Sequence, residues 1–145
     1  MQALVVRINN GEILVADKII SCVGKGIALF LGLARGDTQA KLATIAQKVE
    51  NLRIFESEDG KLNYSVKDKN YQILCISNFT LCASTSKGRR PSFEEAMAPD
   101  EARKFFDDFI LLLQSKGLDV GKGVFGAHMD INLNLDGPVN IVLEA

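Results

Sequence analysis

The chain has 145 residues, of which 47% are hydrophobic and 24% charged, and its net charge is -1. Such a length and balance describe one globular domain with its own core, over residues 1–145, and exclude a disordered or fibrous chain. A charge so near zero supplies no overall positive field for a polyanion, so a nucleic-acid partner has to be held by a local patch.

The first third reads as strands joined by tight turns. Residues 3–8 are rich in β-formers, and Asn9-Asn10-Gly11 is a turn signal. Residues 13–15 and 19–20 flank a second turn at 16–18, and 27–33 is a buried strand between Gly26 and the Arg35-Gly36-Asp37 turn. Asp37 is placed to cap a first helix, whose apolar stripe is Leu42, Ile45, Val49 and Leu52. A turn at 57–60, a strand at 62–66 and a polar turn at 67–70 lead to the strand 72–76. The second helix starts at Pro99-Asp100-Glu101, buries Phe105, Phe106, Phe109, Leu112 and Leu113, and stops at Gly117. Met129, Ile131, Leu133 and Leu135 alternate with polar residues as a strand with one wet face. Asp136-Gly137-Pro138 breaks it, and residues 139–143 form the last strand. The expected fold is α+β: one compact domain of strands with two main helices.

No run approaches the roughly eighteen apolar residues of a membrane span, and the N-terminal MQALVVRINNGE has no export-signal pattern. Cys22, Cys75 and Cys82 lack paired spacing, which fits a reducing cytoplasm, and Cys75 and Cys82 read as small core residues. One histidine and no paired cysteines offer no metal site, and no cofactor motif is present. A hydrolytic triad would have to use His128, with Asp130 or Asp136 to orient it and Ser77, Thr80 or Cys82 as nucleophile. A lone histidine beside a glycine turn is more often an ordinary surface residue.

Three places stand out. Residues 77–85, SNFTLCAST, turn abruptly from a buried strand to small and hydroxyl-bearing side chains. Gly137-Pro138 interrupts a strand pattern, which demands an edge, a bulge or a tight turn. Arg7 ends an apolar strand, facing either solvent or a buried set of hydrogen-bond partners. From charge alone, Lys87-Gly88-Arg89-Arg90 is a solvated basic turn.

Together these residues resemble the D-aminoacyl-tRNA deacylase family. Ser77-Asn78-Phe79-Thr80-Leu81 is similar to its Ser-Gln-Phe-Thr-Leu signature, and Leu135-Asp136-Gly137-Pro138-Val139-Asn140 to its Asn-x-Gly-Pro-Val-Thr signature. Residues 1–7, 24–32, 36–38, 87–93 and 125–129 also resemble family segments, in order along the chain. The chain departs from the signatures at Asn78, Leu135 and Asn140.

The resemblance implies hydrolysis of the ester between a D-amino acid and the terminal ribose of tRNA, which is chiral proofreading and extends to glycine mischarged on tRNA. It implies a mostly antiparallel, barrel-like sheet and a homodimer in which Gly137-Pro138, with a cis peptide bond, enters the partner's site and captures the substrate α-ammonium on backbone carbonyls. Arg7 would buttress that loop. Thr80, Ser77 and Phe79 would lie at the scissile ester, with Asn78, Phe125, Ala127 and Met129 around the substrate. Lys87, Arg89 and Arg90 would meet tRNA phosphates. Three other readings remain open: a non-catalytic aminoacyl-tRNA-binding protein on the same scaffold, a general esterase using His128, and an L-specific deacylase with a trans Gly137-Pro138 bond.

Overall fold

The computed structural model describes residues 1–86 and 88–145. Its backbone is organised by one long strand, β1 (Gln2–Val15), which pairs antiparallel with β2 (Lys18–Val23), β3 (Gly26–Gly32) and the similarly long β8 (Asp130–Glu144). Beyond β3 the sheet continues with parallel neighbours, β6 (Gln72–Ser77) and then β7 (Asp119–Lys122), in the order β2-β1-β3-β6-β7. A separate short ribbon pairs β4 (Phe55–Glu56) with β5 (Leu62–Tyr64).

The sheet curls until its edges nearly meet. A Cβ placed on Gly121 of β7 would lie 2.4 Å from Ser21 Oγ and 3.1 Å from Val23 Cγ1 of β2. Glycine is therefore what lets those edges approach. Inside the curl lie Val6, Ile8, Ile13, Val23, Ala28, Leu74 and Ile76. On the other face, Ala3, Val5, Ile27, Leu29, Ile73 and Cys75 pack beneath α1 (Gln39–Asn51) and α2 (Pro99–Ser115). Residues on one strand divide between the two cores because successive side chains point to opposite faces.

The α2 expectation holds in its start at Pro99 and in its buried Phe106, Phe109 and Leu113. Phe105 and Leu112 are only half-buried, while Ala102 and Ile110 complete the face. Gly117 follows the helix at φ +80°, a conformation that suits glycine.

Three expectations need correction. Asn9-Asn10-Gly11 is no turn: β1 runs straight through it, and β8 pairs alongside with register shifts on either side of Ile8. Leu133 packs so closely over Gly11 that a Cβ there would lie 2.8 Å from its Cδ2, so strand pairing overrides local turn preference. Asp136-Gly137-Pro138 does not divide two strands either. β8 is continuous, and residues 136–139 bulge out between the Leu135–Ile8 and Asn140–Val6 pairs. Finally, the α1 cap is Thr38, whose Oγ1 accepts from Lys41 N at 3.4 Å.

Asp37 is drawn instead into a buried cluster. It accepts from the Met1 ammonium at 2.8 Å, from Ala34 N–H at 2.7 Å and from Lys41 Nζ at 3.1 Å. Burial alone would raise its pKa, but the ammonium and the two other donors outweigh that and hold the carboxyl below its usual range.

Candidate active site

The site begins where parallel strands β6 and β7 end. Cys75 of β6 is level with Lys122 of β7, so the segments that follow, 78–82 and 123–129, leave the same edge of the sheet side by side. The first is a single 3-10 turn, Phe79–Cys82, anchored to β3 by Asn78 N–H donating to Leu31 O at 2.8 Å. Gly32 makes room for it: a Cβ there would lie 2.8 Å from Leu81 Cβ.

The hydroxyl-bearing run is thus held open to solvent, with Phe79 and Thr80 exposed and Ser77 and Asn78 half-buried. Asn78 Oδ1 accepts from Thr80 N–H at 3.2 Å and also from the Thr80 hydroxyl. Its shorter arm therefore caps the local turn. Phe79 N–H, first in the turn, makes no hydrogen bond among the described residues, as the leading N–H groups of a helical turn commonly do not.

The second segment places Phe125 against helix α2, 6.1 Å from the Phe106 ring, with the Arg103 guanidinium 4.9 Å above it. Ala127 closes a turn by donating to Val124 O at 3.2 Å. Met129 packs inward with the Ile8–Ile13 cluster, its sulfur close over Gly123.

An aromatic contact joins the site that no periodicity marks: Phe93 meets the Phe79 ring edge-on at 5.0 Å, and both are exposed. Reciprocal backbone bonds between Ser84 and Ser92 close the loop that carries exposed Arg89 and Arg90 beside this pair. Lys87 lies outside the described residues.

Arg7 is buried on the same face of β1 as Ala3 and Val5. It donates through Nε to Asp136 O at 3.1 Å, through Nη1 to Ile54 O at 2.8 Å, and through Nη2 to Glu56 at 3.4 Å. Its Nε also lies 3.2 Å from Asp136 Oδ2. Of the two options for Arg7, the buried one holds, and its contacts end on the residue before Gly137. The Gly137-Pro138 peptide bond is cis, as expected from the resemblance.

Two distances decide what one chain can do. Ser77 is level with Leu31 and hence with Ala3, whereas the 136–139 bulge sits beside Arg7. Followed along the sheet, Ser77 and the 136–139 bulge are therefore separated by four residues in the strand direction, about 13 Å, and by three strand spacings, about 14 Å, with Thr80 beyond the Ser77 end of β6. Within one chain the two motifs do not meet.

The triad is not assembled. The His128 side chain is 95% exposed, with Asp130 Oδ1 3.9 Å away, and no hydroxyl or thiol among the described residues bonds to it. The cysteines do not replace it, since burial pushes both the Cys75 and Cys82 thiols up and away from thiolate. Among the described residues, no group of three or more acidic, histidine or cysteine residues is arranged to hold a metal.

A curled mixed sheet with two helices on one face and a base-free, hydroxyl-lined turn at its strand ends describes a small α+β domain. The chain belongs to the D-Tyr-tRNA(Tyr) deacylase family, whose model matches residues 4–144. A D-aminoacyl-tRNA deacylase of Thermotoga petrophila is 43% identical over 145 residues, covering 100% of this chain and 97% of that protein. One from Thermodesulfovibrio yellowstonii is 45% identical, covering 99% of each. Among solved structures, a c-Myc DNA unwinding element binding protein superposes with a TM-score of 0.94 at 40% identity, covering 100% of this chain and 99% of that one. A probable eukaryotic D-amino acid tRNA deacylase shares the fold at a TM-score of 0.88 and 17% identity, covering 99% and 98% of the two chains.

Proposed function

We infer that this chain hydrolyses the ester joining a D-amino acid to the terminal ribose of tRNA. The observation that carries this reading is the base-free turn at residues 77–80 in a chain that a deacylase family model matches over residues 4–144. Thr80 gives its proton to an amide, which is no base, so Thr80 is not the nucleophile. Water attacks the ester carbonyl carbon. The free Phe79 N–H stabilises the oxyanion, the carbon–oxygen bond to the ribose breaks, and the proton from water ends on the ribose oxygen by way of the neighbouring 2′-hydroxyl. An ester is already activated, so positioning and a prepared donor supply most of what the reaction needs.

Chirality is read by backbone. A site that accepts many side chains cannot recognise each of them, but rigid carbonyls at Gly137-Pro138 hold the α-ammonium and leave an L side chain nowhere to go. Glycine, without a side chain, passes the same filter. Arg7 fixes this loop through Asp136. Arg89 and Arg90 meet acceptor-end phosphates, where each neutralised charge adds salt-dependent affinity. A cytoplasmic location fits a tRNA substrate, and among the described residues no helix is long and apolar enough to cross a membrane.

The loop must come from a second copy, because Thr80 and Gly137 lie apart within one chain. A two-fold interface brings each motif of one copy to the other motif of its partner. The face that supports such a contact is a row across three strands, Phe30, Leu4 and Val142, in which Val142 is 61% exposed. A Val142→Glu substitution on this exposed position disturbs no core of the single chain. It should halve the sedimenting mass and abolish D-ester hydrolysis. Full activity of a monomeric Val142→Glu protein would overturn the two-copy site.

A further inference from the structure

We propose that Asn78 is a positioning residue that fixes the polarity of the Thr80 hydroxyl and turns its oxygen toward the substrate as an acceptor for the ribose 2′-hydroxyl. This rests on the deacylase reading above and adds a residue to it. The orientation of the amide is not arbitrary. The Thr80 backbone N–H, 3.2 Å away, requires an acceptor, so the side-chain oxygen of Asn78 faces Thr80 and its NH₂ faces away. The Thr80 hydroxyl reaches that same oxygen and must donate to it. With its one proton spent inward, Thr80 Oγ1 has only lone pairs left to present.

Asn78 is itself held on both sides. Its N–H donates to Leu31 O of β3 at 2.8 Å, and its carbonyl accepts from Leu81 N–H at 3.3 Å. The amide therefore sits on a strand end, and Thr80 is exposed beyond it, open to a ligand. Two consequences follow. The Thr80 N–H is removed from the oxyanion donors, which leaves Phe79 N–H in that role. The acceptor at Thr80 Oγ1 selects a substrate donor near the ester. An aminoacyl ribose offers two, the α-ammonium and the 2′-hydroxyl. The ammonium is committed to the Gly137-Pro138 carbonyls, so the 2′-hydroxyl is the group that donates to Thr80. That bond leaves the 2′-oxygen lone pairs directed at the attacking water.

A double-mutant cycle on D-tyrosyl-tRNA tests this, with Asn78→Ala, Thr80→Val and the pair together. Asn78→Ala should lower kcat about tenfold with KM within about twofold, the size of one hydrogen bond expressed in the transition state. In the Thr80→Val background the same change should cost less than about twofold, because the hydroxyl through which Asn78 acts is gone. Asn78→Asp, which keeps an acceptor in place, should stay within about threefold of wild type. Removing the 2′-hydroxyl from the substrate should slow wild type by a larger factor than Thr80→Val.

Equal costs of Asn78→Ala in both backgrounds would show a merely structural cap and overturn the proposal, as would equal sensitivity of wild type and Thr80→Val to the missing hydroxyl. If the alanine variant does not fold, judged by circular dichroism, Asn78→Leu, an apolar side chain of similar size without an acceptor, takes its place in the cycle and the same two outcomes decide. Absence of D-ester hydrolysis by wild type would instead remove the deacylase reading itself.

Discussion

Replacing Arg7 by methionine removes the charge and all donors while keeping an apolar stem of similar length. The Arg7 side chain is 7% exposed, and it serves two backbone carbonyls, Ile54 O and Asp136 O, together with two carboxylates. Glu56 is 55% exposed, so its bond is screened and counts for little. The two carbonyl bonds are charge-assisted and cannot be replaced by methionine. At about 1.5 kcal/mol each, their loss costs about 3 kcal/mol. For a chain of this size about 1 kcal/mol moves Tm by roughly 3 °C, so Arg7→Met should melt about 9 °C below wild type. Arg7→Lys, with one donor group on a flexible stem, keeps a single carbonyl and should lose about half as much. Because Asp136 precedes Gly137, activity should fall further than stability does. At a temperature where the variant is folded, kcat/KM on D-aminoacyl-tRNA should drop more than about tenfold, as expected when a supporting contact of a site is displaced. Thermal unfolding by circular dichroism and single-turnover deacylation give the two numbers. A Tm within about 2 °C of wild type together with kcat/KM within about twofold would refute the reasoning.

Gly137 has φ +142°, and a Cβ there would lie 2.4 Å from Val139 N, so Gly137→Ala should cost about 1–3 kcal/mol in strain and lose D-ester hydrolysis, checked by the same two assays. Asp37 carries a depressed pKa in the folded state, so its contribution is present above the unfolded carboxylate value near ~3.9 and is lost as pH falls through the folded one. The Tm gap between wild type and Asp37→Asn should accordingly hold steady above about pH 5 and close below about pH 4; a gap independent of pH down to about pH 3 would contradict the assignment.

How much of this was legible in the sequence depended on where the deciding contacts lie. The α2 helix was readable because Phe106, Phe109 and Leu113 repeat at helical spacing and Pro99 and Gly117 bound it. β7 was not, since Asp119–Lys122 carries one apolar residue, Val120, and owes its strand geometry to pairing with β6. Asn9-Asn10-Gly11 misled for the same reason in reverse: a strong local turn preference yields to two long strands that pair across it. Residues 77–80 could be singled out because they are contiguous and chemically unlike the strand before them. The links that give them meaning are not contiguous. Phe93 reaches Phe79 over an intervening loop, and Arg7 reaches Asp136 across 129 positions of sequence. No local window of the chain contains both ends of the second contact. Asn78 was readable as a shortened amide, but that its oxygen turns back on Thr80 depends on the 3-10 geometry that follows.

The most direct measurement is hydrolysis of a matched pair, D-tyrosyl-tRNA and L-tyrosyl-tRNA, by the wild-type protein. Rapid loss of the D ester with the L ester spared is the expected result if, as proposed, the Gly137-Pro138 carbonyls leave room on one side of the α-carbon only. Equal rates on both esters would contradict selection by backbone, and cleavage of neither would leave a chain that holds an aminoacyl-tRNA end without hydrolysing it.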